Sequence, residues 1–140
     1  MWRPPGTVLI EGPLGIGKTT LIRAVLRTAG VKDRVKSPSF DLVHPHQGPW
    51  GNYLHVDLFR LDPPPPPEEL DIDAEDALVL VEWGRAWTAW FADRLEVRME
   101  LADGVRRLSM QGVGRWAERL SLWAAEGSEG GGGGAPDPGD

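Results

Sequence analysis

The run Gly12-Pro13-Leu14-Gly15-Ile16-Gly17-Lys18-Thr19 constrains this chain more than any other stretch, because an apolar segment, Thr7 to Ile10, precedes it and a helix-like one, Thr20 to Thr28, follows. A G-x-x-x-x-G-K-[ST] pattern in a strand-then-helix setting is a phosphate loop. Its glycines let consecutive backbone N–H groups turn inward around phosphate oxygens, and the helix that begins at Lys18 adds its positive end. Gly12, Leu14, Gly15, Ile16, Gly17, Lys18, Thr19 and Thr20 are therefore the candidates for holding a nucleoside triphosphate. Lys18 would reach the β and γ phosphates. Thr19 would offer its hydroxyl to Mg²⁺, which in such sites stays partly hydrated and bridges phosphate oxygens.

Length bounds the rest, since 140 residues make one domain. From Gly127 the chain reads Ser-Glu, a glycine run, then Ala-Pro-Asp-Pro-Gly-Asp, with no apolar surface to offset ordering. Residues 1–126 are expected to form the P-loop domain and 127–140 a disordered tail. The absence of cysteine excludes disulfides and thiolate metal sites. No apolar stretch approaches membrane-spanning length, and Met1-Trp2-Arg3-Pro4-Pro5 lacks a signal-peptide core, so a cytoplasmic location is expected.

Net charge is −6, which opposes tight unaided binding to nucleic-acid phosphates. The distribution is uneven: residues 1–40 carry seven Lys or Arg against Glu11 and Asp33, whereas residues 41–82 carry ten acids against Arg60. The acidic run Glu68 to Asp76 reads as a solvated helix or loop, with a partner-docking surface as the alternative.

Strands and helices alternate along the chain. Thr7 to Glu11 is a short buried strand, and the helix from Lys18 stops near Gly30. Phe40 to His44 and Tyr53 to Phe59 are expected to pair antiparallel across a loop from His44 to Asn52, followed by a stiff, non-helical connector, Pro63 to Pro67. Leu78 to Glu82 is another apolar strand. Leu95, Val97, Met99 and Leu101 alternate with charges up to an Ala102-Asp103-Gly104 turn into Val105 to Met110, a half-buried hairpin. A last helix sets Val113, Trp116, Leu120 and Trp123 on one stripe. The fold class is α/β: a P-loop NTPase-like mixed sheet with an antiparallel hairpin component, flanked by helices.

Alternation also sorts the site residues. Tyr53, His55, Asp57 and Phe59 share one strand face and Leu54, Val56 and Leu58 the other, so one face reads as chemical and one as core. Asp57 ends an apolar strand as a Walker B acid does, yet so does Glu82. Two acids thus compete for one metal role. Asp57 could instead pair with Arg60, His55 could be the hydrogen-bonded partner of a nearby acid, and Glu82 could face water.

In order and spacing, the phosphate loop, Ser37-Pro38-Ser39-Phe40, His55-Val56-Asp57-Leu58-Phe59-Arg60 and Val81-Glu82-Trp83 resemble the TsaE family of small bacterial ATPases over about residues 7–110. The resemblance implies a slow ATPase, with ATP and Mg²⁺ bound, required for N6-threonylcarbamoyladenosine formation in transfer RNA. It also implies work in a complex with TsaD and TsaB, with transfer RNA met only through that complex. By position, Asp57 matches the catalytically important aspartate of the family's His-x-Asp-x-Tyr-Arg motif and is, with Lys18 of the loop, a candidate catalytic residue; Thr19 and Glu82 match metal-holding residues, Ser37 to Phe40 match a switch-like loop, and Trp83 matches a functionally important tryptophan. Phe59 stands where the family has tyrosine, Ser39 where it has threonine, and Gly84 where it has proline, so a looser exit from that strand is expected. The family's helix-length stretch before the first strand, which helps seat adenine, is represented by six residues before Thr7, which would expose apolar sheet surface.

Two other readings use the same loop. A small-molecule kinase needs a basic lid, and Pro63 to Asp76 contains no basic residue. A non-hydrolysing nucleotide-dependent binding module needs no turnover; its guanine-nucleotide variant lacks an Asn-Lys-x-Asp motif here.

Overall fold

The computed structural model describes residues 1–32, 42–59 and 61–129. Ser37 to Phe40, Arg60 and residues 130–140 lie outside the described residues, and with them the expected switch loop and the Asp57–Arg60 pair. Among the described residues one six-stranded sheet forms from β1 (Gly6–Glu11), β2 (Val43–Gly48), β3 (Gly51–Asp57), β4 (Ala77–Glu82), β5 (Arg94–Ala102) and β6 (Val105–Val113). The strand order is β2-β3-β4-β1-β5-β6. β1 runs parallel to β4 and β5, and β3 runs parallel to β4; the outer pairs β2–β3 and β5–β6 are antiparallel. This is the expected mixed α/β sheet with hairpins.

The central strands β1 and β4 are apolar over most of their length because both of their faces are covered. Val8, Ile10, Leu78 and Leu80 pack with Ile22 and Leu26 of α1 (Lys18–Thr28) and with Trp116 of α2 (Arg115–Glu129). On the other face Leu9, Val79 and Val81 pack with Val56 and Trp87. Trp87 lies in a 3₁₀ helix, Gly84–Trp90, and its indole N–H donates to the Pro65 carbonyl at 2.9 Å, tying down the proline connector. That connector is not wholly free of helix: Pro67 heads a 3₁₀ turn, Pro67–Leu70, a position where a missing N–H costs nothing. No helix among the described residues is long and apolar enough to cross a membrane.

Several boundaries and the reading of one strand face differ from the sequence expectation; β3, expected over Tyr53 to Phe59, ends at Asp57 and leaves Phe59 outside the strand. The β2–β3 pair forms, but β2 runs through residues expected in the loop, with Pro45 opposite Leu54. β2 is an edge strand, where proline is tolerated. Tyr53 and His55, on the face expected to be chemical, are fully buried, and Tyr53 belongs to the α1-side core, since β3 is covered on both faces. Val113 ends β6 rather than joining the helical stripe, because Gly114 turns the chain at φ 65° before Arg115. α2 continues to Glu129, past the boundary placed at 126/127.

Apolar sheet surface near the amino terminus is covered: Met1, Trp2 and Leu120 pack against the α1-side core. Arg119 of α2 holds that segment, donating to the carbonyls of Met1 at 2.6 Å, Arg3 at 2.7 Å and Pro5 at 2.8 Å while lying 3.9 Å above the Trp116 ring. A planar fork serves three acceptors in a way one ammonium cannot. Arg119→Ala is therefore expected to cost about 1–3 kcal/mol, charge-assisted bonds being the stronger kind and these being part exposed. A urea midpoint equal to that of the native chain would refute this.

Candidate nucleotide and metal site

The loop after β1 needs glycine at three places for two different reasons. Gly15 and Gly17 adopt φ of 81° and 113°, in the left-handed region that side chains disfavour. At Gly12 a Cβ would come within 2.9 Å of the Met99 carbonyl, so β5 packs directly against the loop. Lys18 opens α1 and is buried, its Nζ donating to the Gly12 carbonyl at 2.7 Å and the Pro13 carbonyl at 2.9 Å. The same ammonium lies 3.8 Å from the centroid of the Trp83 ring. Burial pulls the Lys18 pKa below its ordinary value, against the opposing pull of Glu82, Glu11 and Asp57.

Parallel pairing of β3 with β4 sets Asp57 opposite Glu82, so the two competing acids end adjacent strands beside α1. Their surroundings differ. Glu82 is buried, and the Thr19 hydroxyl reaches both its carboxylate oxygens, at 2.8 and 2.9 Å. His55 Nε2 lies 2.5 Å from Glu82 Oε2, which makes His55 the partner of an acid, one of its two expected readings. His55 Nδ1, also buried, has no hydrogen-bond partner among the described residues. Asp57 instead accepts the Phe59 N–H at 3.0 Å. Burial raises the Asp57 pKa above the usual carboxylate range and the charge of Glu82 adds to this, while the Phe59 N–H, His55 and Lys18 act the other way.

The Thr19 hydroxyl and the Glu82 carboxylate are hard oxygen donors that converge next to the phosphate loop, so they fit Mg²⁺, an ion that takes few protein ligands beside phosphates and water. Glu82 does not face water, which removes that alternative.

Trp83 sits at φ 61°, uncommon for a bulky residue, and its ring stacks on Phe59 with centroids 4.9 Å apart. Strain of that kind is held only where neighbours over-determine it. Gly84 supplies part of the constraint: a Cβ there would lie 2.8 Å from Leu9 Cα, so the exit from β4 is tight where a looser one was expected. An opening of about 410 Å³ adjoins the loop between Gly12, Pro13 and Trp83, and a larger one of about 630 Å³, beside Glu96 and Gln111, shares Glu11 and Arg85 with it; neither is lined by Asp57 or Glu82.

Two neighbours of the site escaped the sequence reading. Glu11, at the end of β1, accepts the Arg85 N–H at 3.2 Å, and Arg106 of β6 approaches Gly17. Alternation places Arg106 on a sheet face, but no spacing in the sequence links it to a loop so distant along the chain.

The sequence model of the family described as Threonylcarbamoyl adenosine biosynthesis protein TsaE matches residues 1–108. The chain is 38% identical over 122 residues to the tRNA threonylcarbamoyladenosine biosynthesis protein TsaE of Streptomyces coelicolor, covering 79% of this chain and 82% of that protein. It is 32% identical over 110 residues to the protein of the same name from Rickettsia bellii, covering 76% of each. Among solved structures it resembles the crystal structure of Bacillus subtilis YdiB, with a TM-score of 0.69 over 91% of this chain and 80% of that one; at 23% identity this is a likeness of fold.

Proposed function

Because the chain belongs to the TsaE family of transfer RNA threonylcarbamoyladenosine biosynthesis proteins, we propose that it serves that modification as a slow, Mg²⁺-dependent ATPase acting as a switch on TsaD and TsaB. The observation that carries the reading is the contact of Thr19 with Glu82 beside the phosphate loop, with Asp57 at the same register on the next strand. One acid is engaged with the loop's threonine while the other is left to act on a nucleophile.

The triphosphate enters as substrate. Backbone N–H groups of the loop and the amino end of α1 receive its phosphates, and Lys18 exchanges the Gly12 and Pro13 carbonyls for phosphate oxygens. Bound Mg²⁺ would supply neutralisation of the triphosphate's charge. Thr19 and Glu82 would hold that ion, with His55 fixing the carboxylate's orientation. Asp57 orients the attacking water and accepts its proton; its raised pKa makes turnover fall on acidification sooner than for an ordinary carboxylate. Phosphoryl transfer depends mostly on positioning and electrostatics, so low turnover suits a switch. Ser37 to Phe40 would report the γ phosphate to the partners, and transfer RNA, opposed by a net charge of −6, would be met through them in the cytoplasm.

A phosphate-release assay, on the chain alone and with TsaD and TsaB added, tests this. Slow release of phosphate from Mg·ATP with no acceptor substrate, changed by the partners, is expected. Absence of release under both conditions refutes hydrolysis and favours the non-hydrolysing binding module; release only with a small-molecule acceptor favours the kinase.

A further inference from the structure

Arg106 reaches the phosphate loop from β6, a strand that carries none of the residues discussed for catalysis. The register of the β5–β6 hairpin pairs Arg106 with Leu101 and Leu108 with Met99, so Arg106 shares the sheet face of Met99, which is buried in the α1-side core and abuts Gly12. Its Nη1 lies 3.4 Å, and its Cζ 3.9 Å, from the point where a Cβ of Gly17 would stand. Arg107, one residue on, pairs with Glu100 and points to the opposite face. The guanidinium of Arg106 is exposed, next to the loop glycine that precedes Lys18.

Strand order decides which end of a nucleotide this cation meets. β3 and β4, bearing Asp57 and Glu82, lie on one side of β1, and β5 and β6 lie on the other. A γ phosphate must face the acids for hydrolysis, so the hairpin side faces the opposite, α-phosphate end. A guanidinium also presents a planar fork that matches phosphate oxygens two at a time. We propose that Arg106 is a second nucleotide-binding cation, placed by the β5–β6 hairpin to hydrogen-bond the α-phosphate end of the nucleotide while Lys18 serves the β and γ phosphates.

The inference rests on the nucleotide-binding reading above, and calorimetry with Mg·ATP and Mg·ADP on the native chain, Arg106→Ala, Arg106→Lys and Arg107→Ala separates the two. Arg106→Ala is expected to weaken ATP and ADP alike, by about tenfold for one exposed charge-assisted contact. Arg106→Lys should recover part of this and Arg107→Ala should match the native chain. In Arg106→Ala, turnover at saturating ATP should stay near native while KM rises. Native affinity in Arg106→Ala overturns this inference alone, as does a loss confined to ATP, which would put Arg106 at the γ end. An equal loss in Arg107→Ala reduces the effect to general charge and overturns it too. A native chain that binds neither nucleotide overturns both readings.

Discussion

Lys18→Ala is expected to remove calorimetrically detectable Mg·ATP binding while leaving the nucleotide-free fold nearly as stable as before. The ammonium is buried at the start of α1, capped by two carbonyls of its own loop and faced by the Trp83 ring, so it stands ready at the place the phosphates would take under the proposed reading. Charge-assisted hydrogen bonds contribute about 1.5–3 kcal/mol each, and two of them lost together correspond to an affinity lower by about a hundred- to ten-thousandfold. Stability should change by less, roughly 1 kcal/mol, because burial penalises this ammonium and its removal relieves that penalty along with the two bonds. The measurement is a pair of melting curves. Native protein at a hundredfold excess of ATP over Kd should gain about 2.7 kcal/mol, and the variant should gain almost nothing. An equal ligand-induced shift in both would place the triphosphate elsewhere.

Glu82 and Asp57 should separate by what each variant loses. Replacing Glu82 removes the carboxylate that engages Thr19 and His55, so Glu82→Ala should abolish the Mg²⁺-dependent part of ATP affinity while the affinity without Mg²⁺ stays close to native. The alanine variant also leaves a buried imidazole without its partner, at a cost of about 1–3 kcal/mol. Glu82→Gln keeps a hydrogen-bonding group there and guards against reading misfolding as lost metal. Asp57→Ala touches one backbone N–H of the neighbouring turn and should leave Mg·ATP affinity within about threefold, while turnover falls by about 10²–10⁴, the usual worth of a positioned base. ATP titrations with and without Mg²⁺, alongside phosphate release, read both. The reverse pattern would make Asp57 the metal ligand, and joint loss of metal binding would assign the ion's shell to the pair.

Much of this site was legible in the sequence because its signals are local. The phosphate loop carries its own geometry, and β4 announces itself as five apolar residues closed by an acid. What escaped depends on contacts between distant segments. Two carboxylates at strand ends look alike in sequence, and only the approach of α1 to β4 gives Thr19 to Glu82 rather than to Asp57. Gly84 suggests slack by its composition, yet the proximity of β1 leaves no space for any Cβ. Pro45 masked the extent of β2, since proline argues against a strand until the strand is known to lie at an edge. Tyr53 and His55 read as a chemical face because alternation separates two faces without saying that α1 covers one and Trp87 the other.

The central place of β1 has a consequence for how the chain acquires its site. β1 is made first but pairs on both sides with strands made much later: Val8 neighbours Leu80 in β4 and Leu95 in β5. Such contacts close long loops and slow folding. A nascent or partly folded chain can carry the whole phosphate-loop sequence and still have no Glu82 against Thr19, no Met99 against Gly12 and no Trp83 over Lys18. If the chain binds ATP as proposed, that affinity is a property of the finished sheet, and ATP in the surrounding solution would favour that end state over every precursor, acting on this small domain as a folding ligand before it could act as a fuel.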